Sequence, residues 1–275
     1  MRKFEKLTLG YLLERCRVVG VDAKLVGAVA LDATSHLSKN GNNRVADERP
    51  LEVSWYESVA AGSPSYDVYG TTEYIGELYA CWIAYSRKYL LALQKDGVVG
   101  AESIADALAP NVVVDLGCGI GFTTAALKQL FPSATVVGTN LQETPQRQIA
   151  ERVGNEYGFS VKDGPDTEDA PTGLVFASEY FEHFEAPVKH LRDVLDALNP
   201  NALVIANAFG SRSIGHFDVY DVDGKPSSPS ATSRAFGAEL RRRGYGLVKT
   251  KFWNNRPTYW SREISPTRTA PVDLF

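Results

Sequence analysis

Two short stretches of this chain bring together residues that could do chemistry. In the first, the apolar run Val112 to Leu116 carries one acid, Asp115, and leads directly into Gly117, Cys118, Gly119 and Gly121. Glycines accept positive φ and let a ligand lie against the backbone. A phosphate-binding turn would offer helix N–H groups to an anion. An acid placed just ahead of the turn suits a cationic or amine-bearing ligand better. In the second stretch, the apolar run Leu174 to Ala177 is followed by Glu179, Glu182 and His183. Three readings of that cluster stand side by side. A carboxylate and an imidazole cap a helix and tie the loop to a sheet. Alternatively, His183 takes a proton from an attacking hydroxyl or amine, with Glu179 and Glu182 beside it. In the third, Glu179, Glu182 and His183 share one face of a turn and His216 completes a set of metal ligands.

The elements that must position these residues follow from the apolar periodicity. The first hundred residues read as mostly helical. One amphipathic helix carries Phe4, Leu7, Tyr11, Leu12 and Val18, and a second runs from Asp22 to Leu37. Ser38 to Arg49 reads as a loop. From Thr72, taken as N-cap, a longer helix carries Tyr74, Ile75, Leu78, Tyr79, Trp82, Tyr85, Tyr89, Leu90 and Leu93 as far as Gly97. Its aromatic stripe either packs on the core or lines a pocket. Trp55, Tyr56, Tyr66 and Tyr69 fall in an irregular stretch before it. After Ala109 short apolar runs alternate with helical ones. The pattern predicts strands at 112–116, 135–138, 159–162, 174–177, 202–206, 245–252 and 257–262. It predicts helices at 123–131, 145–156, 187–198 and 233–243. Alternation of this kind implies an α/β fold, with a seven-stranded, mostly parallel sheet carrying helices on both faces. Ligands bind such sheets at the carboxyl ends of the strands.

The segment Val112 to Gly121 resembles motif I of the class I methyltransferases that use S-adenosylmethionine (SAM), a strand followed by an acid and three alternating glycines. Asp115, Gly117, Gly119 and Gly121 meet that pattern in full. A dinucleotide fingerprint would want Gly or Ala at Phe122, and neither is present. The resemblance continues through Ser178, Glu179, Glu182, His183 and Pro187, and through Leu191 to Pro200. It implies a Rossmann-like core at 109–265, an N-terminal helical segment at 1–108 on the substrate side, and a tail at 266–275. It implies SAM as cofactor, with Gly117 and Gly119 under its methionine and ribose parts and Asp115 orienting its amino group. Cys118, Gly121, Leu141 and Glu179 belong to the same expected pocket. The second strand of such proteins normally ends in an acid that takes both ribose hydroxyls. Asn140 stands there instead, with Gln142 nearby, and an amide bonds hydroxyls without charge assistance. Asp163 and Asp166 are candidates for the adenine amino group. The set Glu179, Glu182, His183 and His216 resembles the divalent-metal site of small-RNA 2′-O-methyltransferases.

Composition narrows the alternatives. The chain has 275 residues, 44% of them hydrophobic, and a net charge of −4, which argues against strong sequence-independent nucleic-acid binding. Cys16, Cys81 and Cys118 are far apart and form no CxxC pair, which suits a reducing, cytoplasmic setting. No run reaches the roughly 18 apolar residues of a membrane span. The insert Phe209 to Pro229 is long for a plain connection and reads as a lid or substrate loop, or as an edge hairpin. Arg241, Arg242 and Arg243 read as a solvated helix end. The expected activity is methyl transfer to an oxygen or nitrogen of a small molecule. A nucleic-acid hydroxyl or base is the second candidate acceptor, and a catalytically idle SAM-binding module is the third reading. The oligomeric state is open.

Overall fold

The structure is a computed structural model that describes residues 4, 6–39, 49–95, 103–169, 171–248 and 257–263. Its N-terminal part is helical: α1 (Leu9–Val18), α2 (Ala23–Lys39), α3 (Pro50–Ala60), α4 (Thr72–Cys81), α5 (Arg87–Lys95) and α6 (Ile104–Leu108). Side-chain caps explain where several of them start. Thr8 Oγ1 accepts from the Tyr11 amide, and Thr71 Oγ1 accepts from the Tyr74 amide at 3.2 Å. Thr71, not the expected Thr72, is therefore the cap of α4. The expected long helix is also not uniform, because a π-helical turn at Trp82–Ser86 separates α4 from α5. Trp55 and Tyr56 lie on α3, whose Pro50 suits the first helical turn, rather than in an irregular stretch. Of the loop expected over Ser38–Arg49, Ser38 and Lys39 instead continue α2 and residues 40–48 lie outside the described residues, as do the stop at Gly97, residues 249–256 of the last two strands and the tail at 266–275.

The core continues as β1 (Val112–Leu116), α7 (Phe122–Leu130), β2 (Thr135–Thr139), α8 (Pro145–Tyr157), β3 (Ser160–Lys162), β4 (Leu174–Ser178), α9 (Pro187–Leu198), β5 (Ala202–Ala206), a hairpin of β6 (Tyr220–Val222) and β7 (Lys225–Ser227), α10 (Pro229–Arg242), β8 (Gly246–Val248) and β9 (Thr258–Ser261). Seven strands form one sheet in the order β3-β2-β1-β4-β5-β9-β8. The first five are mutually parallel, and β9 is antiparallel to both of its neighbours. The hairpin is a separate two-stranded sheet inside the expected insert, and α10 starts one turn earlier than the apolar pattern marks.

Alternate residues of the buried strands feed two cores. Val113, Leu174, Phe176 and Val204 face one layer with Leu12, Ile75, Trp82, Phe122 and Ile149. Val114, Val175, Leu203 and Ile205 face the other, with Trp55, Val194, Leu240 and Trp260. Each such side chain removed from water stabilises the fold by about 1.5–3 kcal/mol. Helices α1, α2, α4 and α5 thus join α7 and α8 on one face of the sheet, while α3, α9 and α10 cover the other. The strand order reverses between β1 and β4, and the crevice outside their carboxyl ends is where this architecture places a ligand. Among the described residues no helix is long and apolar enough to cross a membrane.

Candidate functional site

The glycine turn leaves β1 at the switch point. Gly117, Gly119 and Gly121 all take positive φ, and Gly121 opens α7. At Gly117 a Cβ would sit 2.6 Å from the Tyr180 ring. The turn is fastened to β2 by its own amides. Cys118 N–H donates to the Thr139 carbonyl at 2.8 Å, Gly117 N–H to Thr139 Oγ1 at 3.0 Å, and Gly121 N–H to the Cys118 carbonyl at 2.8 Å. Those donors serve the fold and are not presented as a phosphate cradle. The chemical group at the mouth is Asp115, 2% exposed, whose Oδ2 accepts from Thr124 Oγ1 at 2.6 Å. Burial pushes its pKa up to about 7, against the opposing pull of the Thr124 bond. An ammonium group brought to it would favour the carboxylate form.

Asn140 closes the turn from the β2 side. Its Nδ2 donates to the Gly119 carbonyl at 2.7 Å, and its Oδ1 accepts from the Leu141 amide at 2.9 Å. A carboxylate could not make the first bond, so the amide has a structural reason to stand where an acid was expected. Gln142 and Arg147 both donate to Asp163, and Arg147 holds the Asp163 carboxyl below its ordinary range. Leu141 and Asp163 edge the cleft. Asp166, the other candidate, instead accepts from the Glu168 amide at 3.0 Å.

After β4, Glu179 takes a left-handed conformation (φ +54°) while its amide donates to the Ala206 carbonyl at 2.7 Å. The next side chain, Tyr180, lies over Gly117 and bonds His190 Nε2 at 2.9 Å through its hydroxyl. Glu179, Tyr180 and His183 line the cleft. Glu182 points the other way. It is fully buried, its Oε1 accepts from the Ala208 amide at 2.7 Å, and it is absent from the cleft wall. His183 Nδ1 lies 2.8 Å from the Tyr69 hydroxyl, and the ring also bonds the Glu179 backbone. Burial, with His216 nearby, pushes its pKa down to about 3, so the imidazole is neutral. His216 Nδ1 is 2.8 Å from the Ser211 carbonyl. Among the described residues no three His, Cys, Asp or Glu side chains converge to hold a metal ion, so the four-residue set is not assembled as a metal centre.

The cleft that these parts enclose measures about 1500 Å³. Sites for a single small ligand usually measure about 300–1000 Å³, so there is room for a second molecule beside a nucleoside-sized one. Away from the glycine turn its wall is aromatic, with Tyr56, Tyr66, Tyr69, Tyr74, Phe209 and Phe217.

A family profile described as a methyltransferase domain matches residues 114–204. The trans-aconitate 2-methyltransferase of Rhodopseudomonas palustris strain BisB5 is 30% identical over 91 residues, 33% of this chain and 36% of that protein. Its counterpart from strain HaA2 is 28% identical over 97 residues, 35% of this chain and 38% of that protein. The match thus spans little more than a third of these relatives' length. A solved structure of a candidate O-methyltransferase from Nostoc punctiforme aligns with a TM-score of 0.50 at 13% identity, covering 93% of this chain and 73% of that one, which shows the shared fold. The matched span, residues 114–204, holds both the glycine turn and the segment after β4.

Around the matched span, distant segments that the sequence marked only as an aromatic stretch and a long insert come together. Trp55 Nε1 donates to the His216 carbonyl at 2.7 Å, and the Ser213 amide donates to Tyr56 Oη at 3.2 Å. Gly215, at φ +81°, packs so tightly that a Cβ would run into Tyr69 Oη and His183 Nδ1. These contacts tie the insert after β5 to the N-terminal helices. Ser86, carried by the π-helical turn, bonds Ser178 at the end of β4 at 3.0 Å. The π-turn in an otherwise regular helix is a structural signal that periodicity alone does not give. Gln146, in the first turn of α8, also lines the cleft and was not singled out.

Proposed function

We propose that this chain is a SAM-dependent methyltransferase that moves a methyl group to an oxygen or nitrogen of a small acceptor. The observation that carries the proposal is a buried, proton-labile carboxylate, Asp115, at the mouth of a glycine turn in which the Gly117, Cys118 and Gly121 amides are already bonded. That arrangement suits a ligand bearing an ammonium group beside a nucleoside better than a pyrophosphate. The group would lie along Asp115, Gly117 and Gly119, with Asn140, Leu141 and Asp163 at its nucleoside end. SAM supplies an electrophilic methyl on a positively charged sulfur, so the protein needs no nucleophile of its own.

The work left to the chain is positioning. The aromatic side chains Tyr56, Tyr66, Tyr69 and Phe217 would hold a small acceptor. His183, neutral and bonded to Tyr69 and to the Glu179 backbone, fixes the wall between the two compartments in this arrangement. Glu182 holds the insert through the Ala208 amide. In this reading residues 1–108 form the acceptor side and 109–265 the cofactor side. The trans-aconitate in the name of the Rhodopseudomonas relatives supports a small acceptor, and three cysteines of which none forms a disulfide among the described residues support a reducing cytoplasmic setting.

The test has two arms. Calorimetry should show binding of SAM and S-adenosylhomocysteine (SAH). Labelled methyl should pass from SAM into a fraction of a metabolite extract. Heat with NAD but none with SAH would overturn the cofactor assignment. Label entering nucleic acid alone would move the acceptor to the other class.

A further inference from the structure

Gln146 sits in the first turn of α8 with 2% of its surface exposed, yet it lines the same cleft as Gly119, Asn140 and Leu141. Its Oε1 is buried with no hydrogen-bond partner. A buried carbonyl oxygen without a partner is costly, and native folds rarely keep one without a use. Asn140, six residues earlier, is in the opposite state. The Asn140 nitrogen donates to the Gly119 carbonyl and its oxygen accepts from the Leu141 amide. The residue in the expected ribose position is thus engaged by the fold, while the Gln146 oxygen, on the wall of the same cleft, is not.

We propose that Gln146 is the specificity-determining residue for the ribose of the cofactor. A carboxamide offers an acceptor and two donors, which matches a pair of adjacent hydroxyls that can each donate and accept. The amide turns about its terminal torsion, which is soft, to meet them. Ligand binding then supplies the partner that this oxygen lacks in the free protein. The inference rests on the methyltransferase reading, since it takes SAM or SAH as the ligand at this wall.

The probe is SAH, compared with its 2′-deoxy analogue by calorimetry, on wild-type protein and on Gln146→Met. Wild-type protein should bind SAH at least tenfold more tightly than the analogue. Gln146→Met should bind SAH at least tenfold more weakly and lose that preference. Its melting temperature without ligand should hold or rise by about 2 °C, because an unpartnered buried carbonyl oxygen has gone. A merely structural role would move the melting temperature down and leave the preference intact. Equal SAH affinity in the two proteins overturns the inference, as does a wild type that ignores the missing hydroxyl, a result that needs no variant to fold. Failure of wild-type protein to bind SAH at all would instead remove the methyltransferase reading beneath it.

Discussion

On the β1–β2 side of the cleft the wall is backbone. Gly117, Cys118 and Gly121 use their amides on one another and on Thr139, and the side chain of Asn140 completes the same short circuit within about two dozen residues of sequence. On the opposite side the wall is side chains brought from distant places, among them α3, the segment around Tyr69, the loop after β4 and the insert after β5. The first construction has few degrees of freedom and one shape. The second is a set of aromatic contacts that can be exchanged without touching the turn. A fold with this division keeps one ligand constant and lets the other vary, with Tyr180 and His183 on the wall where the two sides meet.

The comparison is broken most directly at Gly117. Gly117→Ala forces a left-handed residue with a side chain and drives its Cβ to 2.6 Å from the Tyr180 ring, which His190 and Phe184 hold in place. SAH affinity should fall about 100-fold, which corresponds to roughly 2.7 kcal/mol. Unchanged affinity in calorimetry would mean that the turn is not the rigid half. Gly215→Ala should do the reverse. Its Cβ collides with Tyr69 and His183 and loosens the insert. Turnover (kcat/KM) should fall about 30-fold, near 2 kcal/mol, while SAH affinity stays within about threefold. If both quantities fall together, the two compartments are one unit.

The same division decides what could be read in advance. Asp115, Gly117, Gly119 and Gly121 fall at alternate positions of one short segment, so their spacing announced the turn, and β1, α9 and β5 were bounded to the residue because buried strands and an amphipathic helix have strong periods. Asn140 was located correctly, but its bond to the Gly119 carbonyl is tertiary and no pattern carries it. The Glu179–His183 segment looked like one chemical face. The turn at Phe181–His183 instead sends Glu182 inward and leaves His183 on the wall. Tyr69, Gly215 and Trp55 meet over more than a hundred residues of separation. For such contacts the sequence holds only residue types, and a tyrosine in the core and a tyrosine in a cleft look alike.

Proton binding separates the two halves again. Asp115 has a folded pKa raised to about 7, so without ligand it is largely protonated at pH 6 and ionised at pH 8. The carboxylate is the form that suits an ammonium ligand, so SAH affinity should rise about tenfold between pH 6 and pH 8, and Asp115→Asn should flatten that slope. Stability runs the opposite way. A raised folded pKa gives a contribution present below the unfolded value near 4 and lost as pH rises through 7. Asp115→Asn should therefore raise the melting temperature of the free protein more at pH 8 than at pH 5. A slope that survives the substitution would place the titrating group elsewhere.

The smallest effect is expected at Tyr69→Phe. The substitution keeps the ring, and with it the packing on Trp55 and Tyr74, and removes only the hydroxyl that meets His183 Nδ1 at 2.8 Å. A single neutral hydrogen bond of this kind contributes about 0.5–1.5 kcal/mol, so turnover should fall roughly threefold. The imidazole would still be buried and held by the Glu179 backbone, and its folded pKa, about 3, should stay far below 6.5. The pH–rate profile of both proteins should then lack an imidazole limb near pH 6.5. A limb that appears there in wild-type protein and moves in the variant would make His183 a general base after all, and would shift it from the wall of the acceptor chamber to its chemistry.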